Sequence, residues 1–305
     1  MEATIRDPEV LPVPNRLKKL LPKRFRSEAT VIPVVRLQGV IMAGASGPFR
    51  QSISLASVAP LLERAFAMKD APAVAISINS PGGSPVQSRL VFQRIRDLAE
   101  EKRKHVIVAC EDVAASGGYM IACAGDEIVA DPSSVVGSIG VVSGGFGFVE
   151  LIRKIGVERR VHTAGQNKAT LDPFRPERAE DVEHLKSLQL DVHKTFIDLV
   201  QSRRGAKLAD HPDLFTGLFW SGVRGLELGL VDRLGDLRTV LRGHYGDKVK
   251  LQVIGPKRGL FSLRGSGGGA SRLGGSLDLS QAGAGLGGAL VEAAEERVLW
   301  ARYGL

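Results

Sequence analysis

Residues 105–130 read HVIVACEDVAASGGYMIACAGDEIVA. The stretch opens on an apolar run, His105-Val-Ile-Val-Ala-Cys110, and closes on another, Glu127-Ile-Val-Ala130. Short apolar runs bounded by turn residues have the pattern of strands buried on both faces. Between them, 115–124 is a small-residue segment that reads as a short helix. Working outward, the alternation continues. Upstream, AVAISI (73–78) reads as a buried strand ending in NSPGGS, and 86–104 as an amphipathic helix. Further upstream VIPVVRLQGVIM (31–42) reads as the first strand. Ile53, Leu55, Val58, Leu61, Leu62, Ala65 and Met68 follow it at helical spacing. Downstream, Val182, Leu185, Leu188, Val192, Phe196 and Leu199 predict a long helix over 177–204, and KVKLQVI (248–254) a last strand. Strands alternating with helices predict an α/β fold with a largely parallel sheet.

The chain has 305 residues, enough for a sizeable core, and 44% hydrophobic with 24% charged residues is ordinary for a soluble globular protein. Four regions are expected: a basic N-terminal arm (1–30), a compact domain (31–254), a glycine-rich linker (255–288) and a C-terminal amphipathic helix (289–305). The net charge of +8 is spread along the chain, with part of the excess in Asn15 to Arg26, where Pro22 interrupts any helix. That stretch reads as a solvated arm. No zinc-ligand spacing or nucleic-acid motif accompanies the charge, so nucleic acid is not an expected partner. Cys110 and Cys123 read as small buried hydrophobes rather than a disulfide framework. With no secretory signal and no apolar run long enough to span a bilayer, the expected location is cytoplasmic. The arm and terminal helix are the candidates for peripheral membrane contact.

Sites in open α/β sheets gather at the carboxyl ends of strands. Two such ends carry unusual loops. Asn79-Ser80-Pro81-Gly82-Gly83-Ser84 brings a proline-fixed turn and two glycines whose backbone a ligand can approach. Ala115-Ser116-Gly117-Gly118 places a hydroxyl at a helix start, where the dipole favours developing negative charge. Each loop alone is weak evidence; together they supply the nucleophile and oxyanion hole of acyl transfer. A base is then needed. His105 lies at the wrong end of its strand, His184 and His193 sit among charges on the long helix, and His162, His211 and His244 have no motif around them. Lys168 in TAGQNKAT has no other charge within three residues on either side. Burial would make it a neutral amine, although an ordinary loop lysine is the other reading of it at this point.

NSPGGS, the block ASGGYMIACAGDEIVADPSSVVGSIGV, then GQNKATLDPF and finally GLFWSGVRGLELGLVDRLG resemble the signal peptide peptidase A (protease IV) family of Ser-Lys peptidases, in the family's order from about Val31 to Leu241. The resemblance implies the ClpP–crotonase superfamily fold, a spiral of parallel sheet with flanking helices. It implies Ser116 as nucleophile, Lys168 as general base, Ser138 as the hydroxyl that orients the lysine amine, and Gly82 or Gly83 with the Gly117 amide as the oxyanion hole. It implies no metal or cofactor. The implied substrate is a peptide with small or hydrophobic residues at the cleavage site, signal peptide remnants among them. Short family members form rings, which implies a homo-oligomer where Lys168 of one subunit completes the site around Ser116 of the next. Many members carry an N-terminal transmembrane helix, and no run of that kind is expected here.

Two rivals remain in view. A crotonase-type acyl-CoA enzyme would use carboxylates, and Glu111 and Asp112 lie close to Ser116 in sequence. A non-catalytic peptide-binding scaffold would keep the fold without needing the dyad. ClpP itself would want a histidine near Val141, and none is there.

Overall fold

The central strands alternate their side chains between two apolar layers, and that alternation organises the molecule. The computed structural model describes residues 29–44, 52–255 and 297–305. Most of the basic arm, the expected linker beyond Gly255 and residues 289–296 of the expected C-terminal helix lie outside the described residues. Strands β1 (Val31–Gln38), β2 (Ala73–Ser80), β3 (His105–Ala115) and β4 (Glu127–Ala130) run parallel. Val35, Leu37, Val74, Ile76, Ile78, Val106 and Val108 face one core, which is closed by helices α1 (Leu55–Phe66), α2 (Pro85–Lys102) and α3 (Gly117–Ala122). Ile32, Val34, Ala73, Ala75, Ile107 and Val129 face the other, which later chain closes from the far side. Burial on both faces is why these strands read as continuous apolar runs.

β3 belongs to two ladders. Its first half pairs with β4 at Ile107–Cys110, and its second half pairs with β5 (Val135–Gly137) at Val113–Ala115. The step between them coincides with a register shift against β2 at Ile78/Ser80. Asn79 stitches that step: its Oδ1 accepts from the Val113 amide at 3.1 Å, and its Nδ2 donates to Asp112 Oδ2 at 2.6 Å. β3 thus leaves β4 and carries Ala115 to the side of β5. The strand is longer than the sequence suggests. Glu111 and Asp112 look like its end, but their side chains find polar partners in Ser77, Gln38 and Asn79. β1 is shorter than its apolar run, because the chain turns at Gly39 (φ 99°).

After β5 come α4 (Val149–Lys154) and α5 (Ala179–Arg204). Then follow β6 (Phe219–Ser221, antiparallel to β5), α6 (Gly222–Glu227), β7 (Arg233–Leu234, beside β4), α7 (Leu237–Tyr245) and β8 (Lys250–Val253, beside β1). Val240 and Leu241 of α7 close the second core.

The sequence blocks interlock here. Fully buried Tyr119, from SGGY, donates to the Leu230 carbonyl at 2.7 Å. Asp232 of the later GLVD segment accepts from Arg204 at 2.8 and 3.0 Å, from Lys207 at 2.7 Å and from the Ile128 amide at 2.8 Å. Burial pushes the Asp232 carboxyl up, but these donors outweigh it and hold the group below the usual carboxylate range. Cys110 and Cys123 are free and buried, with burial pushing both thiols up to about 12.

The long helix α5 is only half covered. Phe196 and Val200 enter the core, whereas Leu188 and Leu190 stay open to solvent, Leu190 at 67%. Residues 141–178 ahead of it form an arm that packs largely on itself: Phe148 stacks near Phe174, Arg159 lies over the Phe174 ring, and the Phe148 amide donates to the Pro173 carbonyl. Val142, Phe146, Ile155 and Val157 remain exposed on it.

Candidate active site

Ser116 sits where β3 ends and α3 begins, with φ 52° and ψ −122°. An L-residue avoids that backbone conformation, and a serine held in it at a strand-to-helix turn projects its hydroxyl clear of both elements. Three contacts hold it there. Its amide donates to the Gly137 carbonyl of β5 at 2.8 Å. The Met120 amide donates back to the Ser116 carbonyl at 3.0 Å as the first turn of α3. Gly82 lies directly against it: a Cβ there would come 2.8 Å from the Ser116 Cβ and 2.9 Å from the Gly117 nitrogen. The Ser116 side chain caps nothing, so its oxygen is unused by the helix it precedes.

The small residues around the serine are therefore space-makers. A Cβ on Gly117 would run into Ser88 and Ile41, and one on Gly118 would reach the Ser80 carbonyl at 2.6 Å. Gly82 (φ 104°) and Gly83 (φ 138°) adopt backbone that favours glycine. Between them they latch the loop to the chain after β1, with the Ile41 amide donating to Gly82 and the Ser84 amide to Ile41. The Gly82 amide donates to Ser80 Oγ at 3.2 Å. Among the described residues, no hydrogen bond uses the amide of Gly83 or of Gly117. Of the three candidate amides, those of Gly83 and Gly117 are thus without a hydrogen bond among the described residues.

Ser138 follows β5 directly and is buried, at φ 53°. Its amide donates to Leu218 at 2.8 Å, and its hydroxyl lies 3.4 Å from the Gly217 carbonyl. Ser116, Gly82, Gly83, Gly117 and Ser138 are thereby gathered at the β3–β5 corner. Lys168 is not among them. It is exposed on the arm, its amide bonded to Gly165, and among the described residues no hydrogen bond or ion pair joins its amine to Ser116 or Ser138. The loop that carries it is pinned to the start of α5. The Leu171 amide donates to Asp181 at 3.3 Å, and Asp181 is held below the usual carboxylate range chiefly by its Arg178 hydrogen bond.

Two further residues bear on this corner. His193, which sits among charges in the sequence, is half-buried. Its Nε2 lies 3.1 Å from the Ile139 carbonyl, because α5 packs behind the Ser138 turn. Tyr303, which nothing in its local sequence marks, reaches Ser138 from the far end of the chain. Glu111 and Asp112 are committed to Ser77, Gln38 and Asn79. No cluster of three or more His, Cys, Asp or Glu among the described residues is placed to hold a metal ion.

A strained serine at the carboxyl edge of a parallel sheet, backed by two glycine loops, has the geometry of the class of domain that presents a serine at a strand-to-helix turn. The comparisons narrow the class. The model of peptidase family S49 matches residues 99–248. A putative protease, slr0021, of Synechocystis sp. is 33% identical over 192 residues, covering 61% of this chain and 69% of its own length. The chloroplastic serine protease SPPA of Arabidopsis thaliana is 33% identical over 217 residues, 69% of this chain and 31% of its own. The chain belongs to peptidase family S49. A Brucella abortus protein named Na(+)/H(+) antiporter NhaA is 63% identical over 293 residues, 96% of this chain, so the chain spans 39% of that relative's length. Among solved structures, the 1510-N membrane-bound stomatin-specific protease superposes with a TM-score of 0.47 at 15% identity, covering 75% of this chain and 99% of its own. Among the described residues no helix is long and apolar enough to cross a membrane.

Proposed function

We propose that the chain is a serine endopeptidase with a Ser-Lys dyad. The observation that carries the reading is Ser116, held at φ 52° with its hydroxyl outside the helix cap, beside the unused amides of Gly83 and Gly117. In the proposed reaction an extended peptide lies against the glycine loop. The Ser116 Oγ attacks the scissile carbonyl as the neutral Lys168 amine takes its proton. The oxyanion is met by the Gly83 and Gly117 amides. The lysine then protonates the leaving amine, and water, activated by the same lysine, releases the acyl group. Ser138 orients the amine. Substrates with small or hydrophobic residues at the cut, signal peptide remnants among them, suit the space around Ser116.

The position of Lys168 supports a homo-oligomeric site, the lysine of one subunit serving the serine of the next. So do the uncovered apolar side chains that share its arm and α5: Phe146 is 81% exposed and Leu190 67%. The commitment of Glu111 and Asp112 to neighbouring side chains speaks against the acyl-CoA alternative, which needs free carboxylates.

The test is cleavage of a hydrophobic, signal-peptide-like substrate by wild type, Ser116→Ala, Lys168→Ala and an equimolar mixture of the two variants. Wild type should cut, each variant alone should lose at least about a thousandfold in kcat, and the mixture should recover activity after subunit exchange. Full activity in Lys168→Ala would remove the base assignment. No cutting by wild type across a varied peptide set would favour the scaffold reading.

A further inference from the structure

Tyr303 belongs to the last described segment, 297–305, which begins with a short helix over 297–301. Its neighbours Arg302, Gly304 and Leu305 are exposed, yet Tyr303 is half-buried, so this side chain is where the segment meets the domain. The phenol oxygen lies 3.3 Å from Ser138 Oγ and 3.4 Å from the Pro81 carbonyl, and so reaches the turns on both sides of the nucleophile. The ring stands edge-on to Phe219 of β6, with centroids 5.1 Å apart and planes at 73°. One residue thus bridges the Ser80–Ser84 loop, the Ser138 turn and the neighbouring strand.

We propose that residues 297–305 are a built-in plug of the active site, with Tyr303 occupying the Ser138 hydroxyl that the incoming lysine amine requires. The proposal rests on the peptidase reading, since it takes Ser138 as the partner of Lys168. The Ser138 hydroxyl is buried and already donates toward the Gly217 carbonyl, so the phenol on its accepting side takes up the approach that a lysine amine would need. Tyr303 and the lysine compete for it, and the aromatic ring lies over ground an extended peptide would cross. Covalent attachment lets a weak contact fill the site. The contact is weak by construction: one phenol hydrogen shared between two long contacts, and one aromatic pair, can be displaced by an assembled neighbour or a well-bound substrate. It is a brake, not a lock.

Full-length wild type, Tyr303→Phe and Tyr303→Ala test it, read by peptide hydrolysis and by the rate at which a fluorophosphonate labels Ser116. Tyr303→Ala should raise both rates about three- to tenfold, and Tyr303→Phe, which keeps the ring and loses the hydroxyl, should give a smaller rise. A synthetic peptide of residues 297–305 added to Tyr303→Ala should restore the slower rate. It should bind that chain more tightly than it binds the double variant that also carries Ser138→Ala. Equal rates across the three chains, a fall in Tyr303→Ala, or a peptide indifferent to Ser138 would overturn the plug. No labelling in any chain would instead overturn the peptidase reading, and the plug with it.

Discussion

Ser116 holds a backbone conformation that costs an ordinary residue about 1–3 kcal/mol, and the groups around it impose that conformation. Gly82 is the one that lies directly against it, since a side chain there meets the Ser116 Cβ and the backbone of Gly117 and Ala115 rather than a movable tip. Gly82→Ala should therefore leave a folded protein whose kcat/KM falls about a hundredfold or more, because displacing the nucleophile by an ångström is enough. Peptide hydrolysis alongside a thermal melt checks it; unchanged activity would sink the placement. Ser138→Ala should lower kcat about tenfold or more and leave KM near its value, if the hydroxyl acts only through the lysine. These residues were legible in the sequence because glycine and alanine packed around one serine leave a mark in composition. Which glycine amide is free was not, as that depends on Ser80 turning its hydroxyl onto Gly82. Nor was Tyr303, whose partner Ser138 lies 165 residues away.

Among the elements, β3 sets the position of the site by leaving one ladder and joining another. The sequence supplied its apolar half and hid its polar half, since Glu111 and Asp112 look like the end of a strand until Ser77 and Asn79 come to meet them. Helix α5 was readable from its periodicity over nearly its whole length, but periodicity does not say what covers a face. The pairing of Arg204 with Asp232 fastens the carboxyl end of α5 beneath the sheet, with the arginine side chain only 2% exposed. Asp232→Asn should cost about 3 kcal/mol or more, because it leaves a buried guanidinium without its counter-ion. The pH dependence follows from the sign. Asp232 is depressed in the folded state, so its contribution is complete above the unfolded value of about 3.9 and is lost as pH falls through the folded value. Melting temperatures of wild type and Asp232→Asn should therefore converge below about pH 4. A constant gap would mean that the carboxylate's charge is not what stabilises the pair.

At the scale of the whole molecule, the chain keeps its proposed nucleophile at the sheet corner and its proposed base on an arm with apolar side chains left open. Leu188→Glu combined with Leu190→Glu should shift the chain toward monomer in light scattering and reduce peptidase activity by a similar factor, while far-UV circular dichroism stays unchanged. Assembly that survives the pair would move the contact surface elsewhere. Separation of the two groups has a further consequence under the proposed dyad. A lone newly made chain carries half of a reagent and can harm nothing around it, so dilution itself acts as the safety catch. Specific activity should rise with protein concentration, and the first encounter between two copies becomes the event that arms them.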